Sequence, residues 1–236
     1  MNVKEYKCIA TEACRSVINP EFFVEEVKKN TGLKVEIIGS VEEARLSMKS
    51  CNIYISKIKK LGLIFDIGGG STELSCFNTK PNEIITKSIS YGVINLDEKC
   101  QIFSEEHVKN DLNRHFSNYF QHFKIRNDEK FLAIGSCSTV TSLCCVFLNL
   151  PFYNPKKIEG YEMYSEDVNT TIKYLENVND NELQKHPCIG DRYMLLKNGI
   201  KILKIIMDKF PISKIIVTQK GLRAVSYTHL TLPTTS

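Results

Sequence analysis

No N-terminal apolar h-region and no run of about 18 apolar residues occurs in the 236-residue sequence, which argues against secretion and against membrane insertion. No dense Lys/Arg run occurs either. The net charge of +4 is mild and gives no indication of nucleic-acid binding, although it tolerates a polyanionic ligand. The nine cysteines contain no C-x-x-C pair; they are odd in number and scattered, with Cys144 and Cys145 adjacent in an apolar stretch. They read as reduced, mostly buried thiols of a cytoplasmic protein. His107, His115, His122, His186 and His229 show no metal-ligand spacing, and the first three fall on or near one helix as expected surface residues. No Ser/His/Asp arrangement can be drawn, so any chemistry must come from carboxylates, a metal and the backbone. What is present is ordinary for a folded globular chain, 25% charged and 42% hydrophobic. The length suffices for one large or two small domains without disulfide staples.

One segment stands out, Leu63-Ile-Phe-Asp-Ile-Gly-Gly-Gly-Ser-Thr-Glu-Leu74. Leu63 to Phe65 reads as a buried strand, and three glycines remove the Cβ atoms that keep a ligand away from backbone N–H groups. A concave row of such donors favours phosphate. Asp66 and Glu73 beside that row would repel the ligand unless a divalent cation, Mg²⁺, bridged the two. The bland alternative is a tight hairpin whose glycines serve only the turn, with both acids solvated.

Around this segment the chain alternates strands and helices. Strands are expected at 7–11 and 34–38, helices at 20–30 and 41–50, then three consecutive strands at 63–67, 72–77 and 84–90. A helix beginning near Ser104 carries Val108, Leu112, Phe116, Tyr119, Phe120 and Phe123 at helical spacing, a stripe that reads as core. A strand at 131–134, helices at 139–148 and 191–209 and a strand at 214–218 complete the pattern. This is an α/β class with a mixed sheet, and a meander entered through a phosphate turn is not the doubly wound dinucleotide pattern.

Several ordered motifs carry a family resemblance: Ala10-Thr-Glu-Ala-Cys-Arg15 with Asn19, Ile37-Ile-Gly-Ser-Val-Glu-Glu-Ala-Arg-Leu46, Asp66 to Leu74, Tyr91-Gly-Val-Ile-Asn-Leu96, Gly135-Ser-Cys-Ser-Thr139, Gly160-Tyr161 and Gly221-Leu-Arg223. Over most of residues 6–223 the chain resembles the exopolyphosphatase and guanosine pentaphosphate phosphohydrolase family. That family shares the actin-like ATPase, ribonuclease H-like fold with actin and the sugar kinases.

The resemblance implies Glu43 as general base for an attacking water, Asp66 and Glu73 as holders of a divalent metal, and Gly68, Gly69, Gly70 and Ser71 as a phosphate loop. Arg15 and Arg223 match phosphate contacts. It further implies Mg²⁺ or another divalent cation as cofactor, polyphosphate or guanosine pentaphosphate as substrate, orthophosphate as product and, for full-length relatives, a homodimer. Read from sequence physics alone, Glu43 would instead close a capping box with Ser40 as N-cap. A glutamate base would be helped by a raised pKa, which desolvation in a cleft could supply. Two other functions stay open: a kinase or ATPase of the same superfamily, and a phosphate- or alarmone-binding module without turnover.

Three departures qualify the match. An Asp-x-Gly-Ser-Asn-Ser phosphate loop, which usually opens the family, has no counterpart in residues 1–9. Ser138 stands where a glycine is usual, which would strain the loop if φ there were positive. From Ala224 onward the sequence reads as a translated adapter. The expectation is a fragment: residues 1–57 the second part of a truncated first domain with exposed apolar surface, 58–224 a nearly complete second domain, and 225–236 a non-native, disordered tail. Whether such a fragment turns over by itself is left open.

Overall fold

The computed structural model describes residues 6–58, 61–78, 83–122 and 131–222. Arg223, Phe123 and the 225–236 tail therefore lie outside the described residues, as do the side chains of Tyr119 and Phe120.

Among the described residues eight strands form two sheets: β1 (Cys8–Ala10) and β2 (Val35–Ile37) make a parallel pair, and six strands make a mixed sheet. The six are β3 (Leu61–Ile67), β4 (Thr72–Asn78), β5 (Glu83–Ile89), β6 (Phe131–Gly135), β7 (Glu162–Tyr164) and β8 (Ile212–Val217), in the order β5-β4-β3-β6-β8-β7. β3, β4 and β5 form the antiparallel meander, β6 and β8 continue parallel to β3, and β7 closes the far edge antiparallel to β8. This is the mixed sheet of the actin-like ATPase, ribonuclease H-like fold.

β3 is apolar throughout except at Asp66 because it is the centre of the sheet and both faces are covered. Its alternate side chains enter two different cores. Leu63, Phe65 and Ile67 pack with Leu74, Phe131, Val140 and Ile202 on one face. Ile64 packs on the other with Ile134, Ile216, Phe77, Cys51 and Tyr54. The expected stripe of the helix Glu105–His122 is core as far as it is described, with Val108, Leu112 and Phe116 buried.

The expected elements recur within about two residues at most ends. The helix Pro20–Thr31 is delimited as its sequence dictates, with the Asn19 side chain accepting from Phe22 N, proline in the first turn and Gly32 at φ 75° after the end. The helix expected at 191–209 begins with a 3₁₀ turn, Gly190–Arg192, and continues as Tyr193–Lys209. Helices Asn95–Phe103 and Ser165–Glu176 and strand β7 have no counterpart in the sequence reading.

Ser138 carries none of the strain considered for it. It is the first residue of the helix Ser138–Phe147, and the positive-φ non-glycine residues described are Ser104 and Asn149. All nine cysteines are free thiols, six of them buried. No helix among the described residues is long and apolar enough to cross a membrane.

Candidate active site

The glycine run is both a hairpin turn and a row of donors. Gly68 N donates to Ser71 O at 2.8 Å, closing the β3–β4 connection. The carbonyls are then tied down from outside: Val93 N donates to Gly68 O at 2.9 Å, Ile94 N to Gly69 O at 2.8 Å, and Asn95 Nδ2 to Gly70 O at 2.7 Å. The N–H groups of Gly69 and Gly70 have no hydrogen-bond partner among the described residues. A turn clamped through its carbonyls keeps such donors aimed outward without further ordering cost. The clamp depends on Gly92, where a Cβ would lie 2.3 Å from Gly69 O and 2.6 Å from Gly68 O, inside hard contact with backbone.

Asp66 and Glu73 sit opposite each other in the antiparallel register, so both carboxylates face the same side of the sheet. Glu73 is only 5% exposed, and its Oε1 accepts from Ser71 Oγ and Ser88 Oγ, each at 2.7 Å. Burial pushes its pKa up to about 7. The charges of Glu43 and Asp66 push the same way, and the two hydroxyls oppose them. The Ser71 hydroxyl hydrogen is thus committed to Glu73.

Glu43 reaches this cluster from a different layer. The helix Ser40–Ser50 lies against β4 and β5, and Glu43 is buried on the sheet-facing side. The capping box does not form: Gly39 is the N-cap, no side chain caps the helix, and the Glu43 carboxylate turns to Arg15 instead, with Oε2 at 2.9 Å from Nη1. Nη1 also donates to Ile38 O at 2.8 Å. Glu43 Oε2 is left as a buried acceptor with a charge partner and no hydrogen-bond donor among the described residues. Arg15 also grips Glu12 through Nε at 3.2 Å and Nη2 at 2.8 Å, and Glu12 in turn packs where a Cβ on Gly70 would be 3.2 Å from its Cγ. Glu42, the neighbouring acid, pairs with Arg45 on the outside at 2.5 Å, as expected of a surface residue.

A cleft of about 630 Å³ opens beside the glycine turn, at the C-terminal ends of β3, β6 and β8. Asp66, Gly68, Gly69, Ser136, Ser138 and Arg192 are among its walls, and Gly221 closes one side, where a Cβ would lie 3.3 Å from Asp66 Oδ2. In open α/β sheets ligands gather at such strand ends.

The structure therefore brings together Glu43, Arg15, Asp66, Glu73 and residues 68–71. Arg223 lies outside the described residues. Sequence reasoning did not single out Glu12, Ser88, Asn95 or Ser136; Glu12, Asn95 and Ser136 lay inside quoted motifs, whereas nothing local marks Ser88. Among the described residues no group of three or more His, Cys, Asp or Glu could hold a metal by itself. Two facing carboxylates nonetheless fit a hard cation that keeps several waters and takes its remaining ligands from substrate phosphate.

Comparison with known proteins follows the same lines. The model of the Ppx/GppA phosphatase family matches residues 1–230. A crystal structure of the Ppx/GppA phosphatase from Aquifex aeolicus superposes with a TM-score of 0.72 at 25% identity, covering 98% of this chain and 76% of that one. An exopolyphosphatase from Cytophaga hutchinsonii shares the fold at a TM-score of 0.74 and 20% identity, covering 95% and 74%. A bifunctional 3-dehydroquinate synthase/phosphatase from Fusobacterium nucleatum is 28% identical over 233 residues, 92% of this chain, and the chain spans 33% of that protein's length.

Proposed function

Because the chain belongs to the Ppx/GppA phosphatase family, we propose that it hydrolyses the terminal phosphoanhydride bond of inorganic polyphosphate or guanosine pentaphosphate. The observation that carries this reading is that Glu43, buried and paired with Arg15, lies close enough to act on Glu73, which faces Asp66 across the strands that the glycine turn joins.

In this scheme the N–H groups of Gly69 and Gly70 receive oxygens of the terminal phosphate, and the guanidinium of Arg15 adds charge from the opposite side. Glu43 Oε2, which has no hydrogen-bond donor among the described residues, accepts a proton from water. The water oxygen forms a bond to the terminal phosphorus, the bridging P–O bond breaks, and the bridging oxygen leaves with the electron pair on the shortened chain. Orthophosphate is released and the proton on Glu43 returns to solvent. Ser71 and Ser88 orient Glu73 rather than contact substrate. A divalent cation such as Mg²⁺, held by Asp66 and Glu73, would supply positive charge to the phosphate oxygens. Arg223 is a further phosphate contact by family resemblance. Residues 1–57 and 58–224 would be parts of two domains, with the site between them.

The test is orthophosphate release from polyphosphate in Mg²⁺ by the protein expressed from its own gene. Glu43→Gln is expected to lower the rate by roughly 100-fold or more. Undiminished release would remove Glu43 as the base, and full activity in excess chelator would remove the metal. Transfer of phosphate from ATP to an acceptor other than water would place the chain with the kinases.

A further inference from the structure

Arg15 stands between two carboxylates, and its donors are divided unequally between them. Nε and Nη2, the edge of the guanidinium that matches a carboxylate or a phosphate, both donate to Glu12 Oε2, at 3.2 Å and 2.8 Å. Nη1 donates to Ile38 O at 2.8 Å. Glu43 Oε2 lies 2.9 Å from Nη1, near enough to feel the charge, yet it receives no hydrogen bond among the described residues. Glu43 thus has the positive charge beside it, and Glu12 has the hydrogens.

Glu12 and Arg15 are three residues apart on one helical turn, Glu12–Arg15, so a surface ion pair that staples the turn is the plain alternative. Three observations speak against it. Both side chains are only 18% exposed. The stem of Glu12 rests on the glycine turn, where a Cβ on Gly70 would meet its Cγ at 3.2 Å and its Cβ at 3.7 Å. The second carboxylate oxygen, Oε1, accepts from Ser16 Oγ at 2.9 Å, so the group cannot swing off the guanidinium without breaking another bond. Burial by itself would raise the Glu12 pKa, but the hydrogen bonds from Arg15 and Ser16 outweigh it and lower it, so the group is ionised at neutral pH. An anion at that place works against a phosphate ligand; a residue serving only the helical turn would be better neutral.

The role of Glu12 lies in what Arg15 would do without it. Glu43 is the other carboxylate against the guanidinium, and an edge released by Glu12 closes on it with charge-assisted hydrogen bonds, which are stronger than neutral ones. Oε2 would then be committed to Arg15 and lose the lone pair that takes the proton of water.

We infer that Glu12 is a positioning residue for the general base: by holding the Nε/Nη2 edge of Arg15, it keeps Glu43 Oε2 beside a positive charge and free of hydrogen bonds. This rests on the hydrolase reading and deepens it. In that scheme Glu12 touches no reacting atom and acts only through Arg15.

Orthophosphate release from polyphosphate in Mg²⁺ by Glu12→Ala and Glu12→Gln, together with a crystal structure of Glu12→Ala, tests the assignment. In Glu12→Ala kcat should fall about tenfold with KM within about twofold of the parent; in Glu12→Gln, whose amide oxygen still accepts from the guanidinium edge, kcat should fall about threefold. The crystal structure should show Nε and Nη2 of Arg15 turned onto Glu43. An unchanged kcat in Glu12→Ala, a KM that rises while kcat holds, or a guanidinium that keeps its place would each overturn the inference. Glu12→Gln is nearly isosteric and carries the kinetic test by itself if the alanine variant does not fold; an unchanged kcat there overturns the inference equally. The crystal structure separates the two claims. If the parent releases no orthophosphate the hydrolase reading falls, while an Arg15 edge that turns onto Glu43 keeps the positioning by Glu12; release by the parent with the guanidinium unmoved does the reverse.

Discussion

Residues 6–50 and residues 61–222 differ sharply in what they bury. In the first region the helix Pro20–Thr31 has no buried residue, and Ile18, Phe22 and Phe23 are 105%, 62% and 44% exposed. Its own apolar nucleus is Ile38 with Leu46, and one of the two side chains resting on that pair, Leu222, comes from the far end of the chain. In the second region Phe65, Phe116 and Phe131 are fully enclosed between sheet and helices. Yet Glu43 and Arg15 belong to the thinly packed region, and Glu43 is buried because its helix leans on β4 and β5 of the other. Stability is concentrated in the large sheet, whereas half of the candidate chemistry is carried by a region that depends on that sheet for its desolvation.

The largest effect that could break this contrast is on folding. Phe131→Ala should cost about 3–5 kcal/mol in urea unfolding, and Phe22→Ala no more than about 0.5 kcal/mol; comparable losses would show that the first region is as tightly built as the second.

A pH titration of stability sharpens the coupling between the regions. Glu73 binds its proton more tightly in the folded chain, with a pKa of about 7 against 4.5, through burial first and the charges of Glu43 and Asp66 next. Its contribution to stability is therefore complete below pH 4.5 and is lost as pH rises through about 7. In metal-free buffer the wild type should lose on the order of 2–3 kcal/mol across that window relative to Glu73→Gln. Parallel curves for the two proteins would mean that Glu73 is not desolvated as described.

The smallest effect concerns the loop of the second region. Since Ser138 opens a helix without positive φ, Ser138→Gly should lower stability by about 0.5 kcal/mol in thermal melts rather than relieve strain. A stabilised glycine variant would reverse that.

Much of the large sheet was legible in the sequence because its signals are local. β3 is a continuous apolar run ending in glycines, and the meander strands β4 and β5 follow at short spacing, so their limits shift by two residues or fewer. What escaped notice depends on partners. β7 has three residues, too few for any period, and is a strand only because β8 offers it an edge. The helix Ser165–Glu176 buries Val168, Thr171, Ile172 and Leu175, a stripe diluted by a threonine and a polar opposite face. Ser136 lies inside a quoted motif, but only its burial shows a hydroxyl without a hydrogen-bond partner among the described residues.

The sequence by itself determined the β3–glycine–β4 turn, the facing of Asp66 and Glu73 across it, and the family. Strand period, glycine backbone freedom and ordered motifs are properties of neighbours along the chain. Tertiary structure alone decided where the Glu43 carboxylate points. Its local sequence allows a capping box, and only the approach of Arg15 and the sheet turns its carboxylate inward, because an ion pair shielded from water outcompetes a backbone cap that solvent can replace.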